Sequence, residues 1–216
     1  MLAQPTVVAV VQPAAVGELS AQLRHDYEWK FAACEIRPWA RTVANDAIGR
    51  IVRNRATYQR VSDATGVPWF LVGVLHQLEC DGRFDRRLSD GRPQSATTSW
   101  EQSAIDALQK ERSSGAWSGI PDPEWQSWGI ADILYRAEVY NGTGYMKRGR
   151  VSPYVYGGSR CYHRGKYTRD GHFNAHYVSR QVGAATLLKV MLARDLFSMP
   201  ATTWLQSCED ANANGK

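Results

Sequence analysis

The chain has 216 residues, 44% of them hydrophobic and 22% charged, and a formal charge of +5. This composition excludes a largely disordered chain, a coiled coil or a collagen, and no run approaches the ~20 apolar residues of a transmembrane helix. Aromatics make up 11%, with eight Trp and ten Tyr, and a basic aromatic chain points to a polyanionic partner: nucleic acid, anionic lipid or anionic wall polymer.

Residues 1–17 lack the positive flank of a secretory signal and are expected to form a flexible leader. Leu19, Leu23, Tyr27, Phe31 and Cys34 recur at helical spacing over 18–35. Pro38 starts a long helix whose stripe runs through Trp39, Val43, Ala47, Ile51 and Tyr58, until Thr65-Gly66-Val67-Pro68 breaks it. Residues 68–80 form the most apolar helix, with Pro68 in its first turn. Residues 81–99 are polar and turn-rich, and Asp81-Gly82 and Asp90-Gly91 suit a small hairpin. Ser99-Trp100-Glu101-Gln102 matches a capping box opening a helix to about Lys110. Asp122-Pro123 starts another, which ends at Asn141-Gly142.

Residues 142–180 carry eight Lys or Arg against one acid, a net of +7, with six interleaved tyrosines. Gly and Pro interrupt any period there, so loops and a single hairpin are expected. An amphipathic helix over 175–197 closes the domain, and a polar tail follows from 198 to 216. One domain thus spans 18–197. The four cysteines form no CxxC pair, and free buried thiols are expected of a protein made in a reducing cytoplasm. No cofactor or metal is implied.

Glu79 is the acid in the wrong place. Val72, Leu75 and Glu79 share one helix face by their spacing, and that face points to the core. Desolvation and the negative end of the helix both favour a protonated carboxyl, which is what a general acid needs. His76 lies one turn earlier and could bond the acid or a substrate, although a structural histidine is the blander reading. Asp81, Asp85 and Asp90 follow, and Asp90 could face the cleft from its turn as a second catalytic carboxylate. Tyr140-Asn141-Gly142-Thr143-Gly144-Tyr145 sets an amide beside two phenols, chemistry suited to a sugar bearing acetamido and hydroxyl groups.

Together these segments resemble the lysozyme-like superfamily: goose-type lysozymes, soluble lytic transglycosylases and, more closely, bacteriophage and prophage endolysins. The resemblance spans about residues 68–192 and rests on five segments in order. These are His76 to Glu79, Trp100 to Leu108, Tyr140 to Tyr145, Ser152-Pro153-Tyr154 and Gly165 to Gly171. It implies a mainly α fold, a lysozyme-like helical domain with a small β-hairpin element. It also implies cleavage of the β-1,4 bond between N-acetylmuramic acid and N-acetylglucosamine. Glu79 then matches the catalytic acid, with Asp90 as candidate partner, and His76, Tyr140, Asn141, Tyr145 and Tyr154 as substrate-binding residues. The expected partner is bacterial peptidoglycan, met by a monomer made in the host cytoplasm and released to the periplasm by a holin-type route. One departure matters: where such relatives place a helper Asp in the turn after the Glu, this chain has Arg92. Asp90 substitutes for it, or no helper acid exists and a transglycosylase route is favoured.

Two readings of other classes stand beside this one. A wall-binding or virion structural protein could keep the fold without the activity. The basic, tyrosine-rich stretch could bind single-stranded nucleic acid, although no nucleic-acid-binding signature accompanies it.

Overall fold

The computed structural model describes residues 19–120, 127–169 and 171–199. The elements run α1 (Ala21–Ala33), α2 (Pro38–Arg53), α3 (Arg55–Thr65), α4 (Trp69–Cys80), α5 (Trp100–Ser113), α6 (Ile130–Tyr140), α7 (Gly144–Lys147), α8 (Pro153–Tyr156), β1 (Lys166–Arg169), β2 (His172–Asn174) and α9 (Ala184–Leu192). The described chain is therefore mainly helical, with a small two-stranded antiparallel sheet.

α4 is the centre of the fold. It packs against α2, α3, α6 and α9. Ten of its side-chain positions, from Trp69 to Cys80, are buried, as a helix apolar on every side requires. Gly73 permits the closest approach: a Cβ there would lie 2.7 Å from Ile51 Cγ2 and 3.2 Å from the Tyr58 ring.

Of the start signals read from the sequence, Pro38 and Ser99 hold, and at α1 the structure adds a cap that was not singled out. Ser20 caps α1 by accepting from the Leu23 N–H, and Pro38 opens α2. Ser99 accepts from the Gln102 N–H, but the Gln102 side chain turns to Asp106, so the capping is one-way.

Other expectations need correction. The long helix from Pro38 breaks at Asn54, whose side chain donates to the Arg50 carbonyl and whose backbone leaves the helical region. The hairpin expected within 81–99 is reduced to one bridge, Arg86 to Pro93, because proline has no N–H to extend a ladder. The sheet forms at 166–174, inside the stretch where a hairpin was expected, pairing Lys166 with Asn174 and Tyr167 with Phe173. The closing helix covers only Ala184–Leu192. Ahead of it the Ser179 N–H donates to Tyr162 Oη and Gln181 Nε2 to the Leu78 carbonyl, so this stretch answers to distant partners rather than to its own turns. The helix start expected at Asp122-Pro123 lies outside the described residues, and the described helix begins at Ile130. The leader and most of the tail also lie outside them.

The thiol expectation holds for Cys80 and is overturned for Cys34 and Cys161. Cys34 and Cys161 form a disulfide with Cα atoms 5.5 Å apart, while Cys80 is free and buried. Around the disulfide, Ile36 bridges Ser159, the Arg160 N–H donates to the Glu35 carbonyl and the Arg37 N–H to that of Gly158. Two segments far apart in sequence are thereby tied side by side. No helix among the described residues is long and apolar enough to cross a membrane.

Candidate active site

Glu79 occupies the last turn of α4, where Asp81 takes a left-handed conformation (φ +56°) and ends the helix. The carboxyl is half-buried, and desolvation raises its pKa above the ordinary glutamate value. One group opposes that shift: Tyr154 Oη donates to Glu79 Oε1 at 2.6 Å. Tyr154 stands on α8, where Pro153 follows the Ser152 cap. It is buried, and burial together with the Glu79 charge pushes its phenol well above the usual range, so it remains a donor.

Two cavities adjoin this pair. One, of about 540 Å³, is lined by Val43, Glu79, Arg86, Arg180 and Gln181 among others. The other, of about 480 Å³, is lined by Asn141, Tyr145, Tyr154, Lys166, Tyr167 and Gln181 among others. Gln181 borders both, and the Tyr154–Glu79 bond runs from one lining to the other. The acid therefore sits at the junction, with room on either side for a chain-like ligand. A third cavity, of about 320 Å³ between α3, α5 and α6, has no carboxylate in its lining.

The residues expected to bind substrate divide into two groups. Asn141 and Tyr145 line the second cavity, as does Tyr154. Tyr145 Oη accepts from the Tyr167 N–H at 3.0 Å, and its ring meets Tyr167 and Phe173 edge-on, so it seats the hairpin against the cavity wall. Gly144 lets this happen: a Cβ there would stand 2.8 Å from the Tyr167 hydroxyl. Tyr140 lies behind the wall, donating to the Leu88 carbonyl at 3.2 Å and packing on Trp117. It braces the loop that follows α4, close enough for the Glu79 charge to add to the burial that raises its pKa.

His76 does not reach the cleft. It is fully buried, its Nδ1 is 3.0 Å from Tyr58 Oη, and its ring packs on Phe84 and Trp100. Burial pushes its pKa down to about 4, so the ring is neutral within an aromatic cluster. Its apolar face belongs to the core, which is why spacing alone placed it beside the acid. Asp90 is also committed elsewhere. It takes a two-pronged ion pair from Arg87 and accepts from the Arg92 N–H, fastening its own turn. It is absent from the linings of both cavities beside Glu79.

Gln181, Arg180, Lys166 and Tyr167 border the cavities without having been singled out individually. The net charge and tyrosine content of residues 142–180 hinted at Arg180, Lys166 and Tyr167, the last two also falling in the Gly165 to Gly171 segment of the resemblance, and nothing pointed to Gln181. No group of three or more His, Cys, Asp or Glu among the described residues could hold a metal ion.

Chemically, the site offers one half-buried carboxyl whose pKa burial raises, a phenol fixed upon it, and amide and phenol groups along an open groove. No protein-family model, curated protein or solved structure matches the chain.

Proposed function

We propose that the protein is a peptidoglycan-degrading glycosidase of endolysin type, cleaving the β-1,4 bond between N-acetylmuramic acid and N-acetylglucosamine with Glu79 as general acid. The observation that carries this reading is the half-buried Glu79, bonded to Tyr154 at the junction of two cavities. A glycan strand laid along them would bring a glycosidic oxygen to the carboxyl. Glu79 protonates that oxygen, the C1–O bond breaks, and the N-acetylglucosamine side leaves as an alcohol. The resulting carboxylate takes a proton from whichever hydroxyl attacks C1, restoring the acid.

The attacking group follows from the remaining carboxyls. Asp90 is engaged by Arg87, and Asp81, the other acid in the cavity lining, pairs with Arg50 at 3.3 Å. With no uncommitted second carboxylate in the described linings, attack by the 6-hydroxyl of the muramic acid itself is favoured, leaving a 1,6-anhydro end. The Cys34–Cys161 disulfide suits work in an oxidising compartment such as the periplasm. Mass spectrometry of fragments released from purified sacculi tests the reading. Muramic acid ends, anhydro or reducing, are expected, and release of peptides alone would overturn it.

A further inference from the structure

The cavity beside Glu79 carries more positive charge than the acid uses. Three guanidiniums line it: Arg83, Arg86 and Arg180. Arg83 is held by Asp85 through two hydrogen bonds. Among the described residues Arg86 makes no ion pair, although its charge acts on Asp85, and its one side-chain hydrogen bond runs from Nη1 to the Gly91 carbonyl at 3.4 Å. Arg180 makes no hydrogen bond or ion pair with any described residue. Of the two acids in the lining, Asp81 is paired with Arg50, and Glu79 accepts from Tyr154 rather than from an arginine. Neither Arg86 nor Arg180 contributes to the shift of the Glu79 pKa. Two guanidiniums without an ion pair among the described residues therefore line the same space as Glu79.

Arg180 is exposed, yet its backbone is fixed on both sides. The Ser179 N–H donates to Tyr162 Oη at 3.0 Å, and Gln181 Nε2 reaches the Leu78 carbonyl at 3.1 Å on the last turn of α4. The base of the side chain is thereby set with respect to Glu79, while the guanidinium is left for a ligand. Guanidinium is the group best matched to a carboxylate, since its planar fork gives paired, charge-assisted hydrogen bonds.

We infer that Arg86 and Arg180 form an anion subsite next to Glu79 that takes a carboxylate of the peptide stem carried by the muramic acid residue, whose own lactyl carboxyl is tied up in the amide to that stem. This rests on the proposed glycosidase reading and adds a specificity to it: the enzyme selects glycan bearing carboxylates over a neutral chitin-type chain. Arg86 and Arg180 are then specificity residues, and proton transfer remains with Glu79.

Titration calorimetry tests the subsite without turnover. The ligands are a disaccharide-tetrapeptide muropeptide, the peptide-free N-acetylglucosaminyl-N-acetylmuramic acid disaccharide, and N,N′-diacetylchitobiose. Arg86→Gln and Arg180→Gln are each expected to weaken muropeptide binding about tenfold, as loss of a charge-assisted hydrogen bond implies, and to leave diacetylchitobiose binding unchanged. Arg180→Lys is expected to recover part of the loss. The peptide-free disaccharide, whose only carboxylate is the lactyl group freed from its amide to the stem, is expected to lose less than the muropeptide, and equal or greater loss there would overturn the stem assignment. Unchanged muropeptide binding in both glutamine variants, equal loss for the neutral sugar, or no muropeptide binding by the wild-type chain would overturn the subsite. The two readings fail separately. Cleavage of sacculi with binding indifferent to the arginines removes only the subsite, whereas arginine-dependent binding without cleavage removes only the glycosidase.

Discussion

Tyr154 Oη donates to Glu79 Oε1 at 2.6 Å, joining α8 to the end of α4 across 75 residues of sequence. A donor on a carboxylate favours the ionised form, so this bond restrains a pKa that burial drives upward. Tyr154→Phe removes the restraint and leaves the desolvation. A general acid works while protonated, so activity falls as pH rises through its pKa. The alkaline limb of the pH–activity profile is expected to move to higher pH in Tyr154→Phe. An unmoved or downward-shifted limb would show that the phenol does not tune the acid.

His76 gives a stability prediction with the opposite pH sense from Glu138. Its folded pKa, near 4, lies below the value of about 6.5 for an exposed histidine, so the unfolded chain binds more protons between them. Stability is fully present above about pH 6.5 and falls as pH drops toward 4, by up to about 3 kcal/mol from this group. Denaturant unfolding across that window checks it, and His76→Phe should flatten the slope.

Glu138 is buried in α6, where Tyr27 Oη donates to it at 2.5 Å, and burial raises its pKa to about 7. The folded chain here binds the extra proton, so this contribution is lost as pH rises from about 4.5 to 7. Glu138→Gln keeps an acceptor for Tyr27 and removes the buried charge. Its melting temperature is expected to exceed that of the wild type at pH 8 and to match it at pH 4.5. Equal pH dependence in the two proteins would contradict the assignment.

The Cys34–Cys161 disulfide closes a separation of 127 residues. Disulfides typically stabilise by about 2–4 kcal/mol, and restriction of the unfolded chain over a loop of this size gives an upper value of about 5 kcal/mol. Reduction, or the double replacement Cys34→Ser and Cys161→Ser, is expected to lower denaturant stability by that order. Thiol titration of the denatured, unreduced chain should count two fewer thiols than after reduction, and an unchanged count would refute the pairing.

The legible parts of this fold were those decided locally. α4 stood out because it is apolar on every side, and Glu79 because an acid on such a helix has to be explained. The Asn54 break escaped notice because the apolar period runs through it. The hairpin expected within 81–99 overlooked what Pro93 does to a ladder. His76 shares the α4 face with Leu75 and Glu79 by spacing, yet Tyr58, Phe84 and Trp100 close over it, which only tertiary packing reveals. Gln181 and Arg180 fall where the closing helix was expected to begin, but bonds from Gln181 to Leu78 and from the neighbouring Ser179 to Tyr162 hold that stretch out of the helix. The partners of Cys34 and Glu79 are likewise set by the fold and not by spacing.

The central claim is that Glu79 is the acid of a glycosidase acting on bacterial wall. Its most direct test is mass spectrometry of soluble products from purified sacculi, incubated with the wild-type chain and with Glu79→Gln of matched circular dichroism. The wild type is expected to release muropeptides cut after N-acetylmuramic acid, predominantly with 1,6-anhydro ends, and Glu79→Gln to release none above background. The same muropeptides from Glu79→Gln at wild-type rate, or none from the wild type, would contradict the claim.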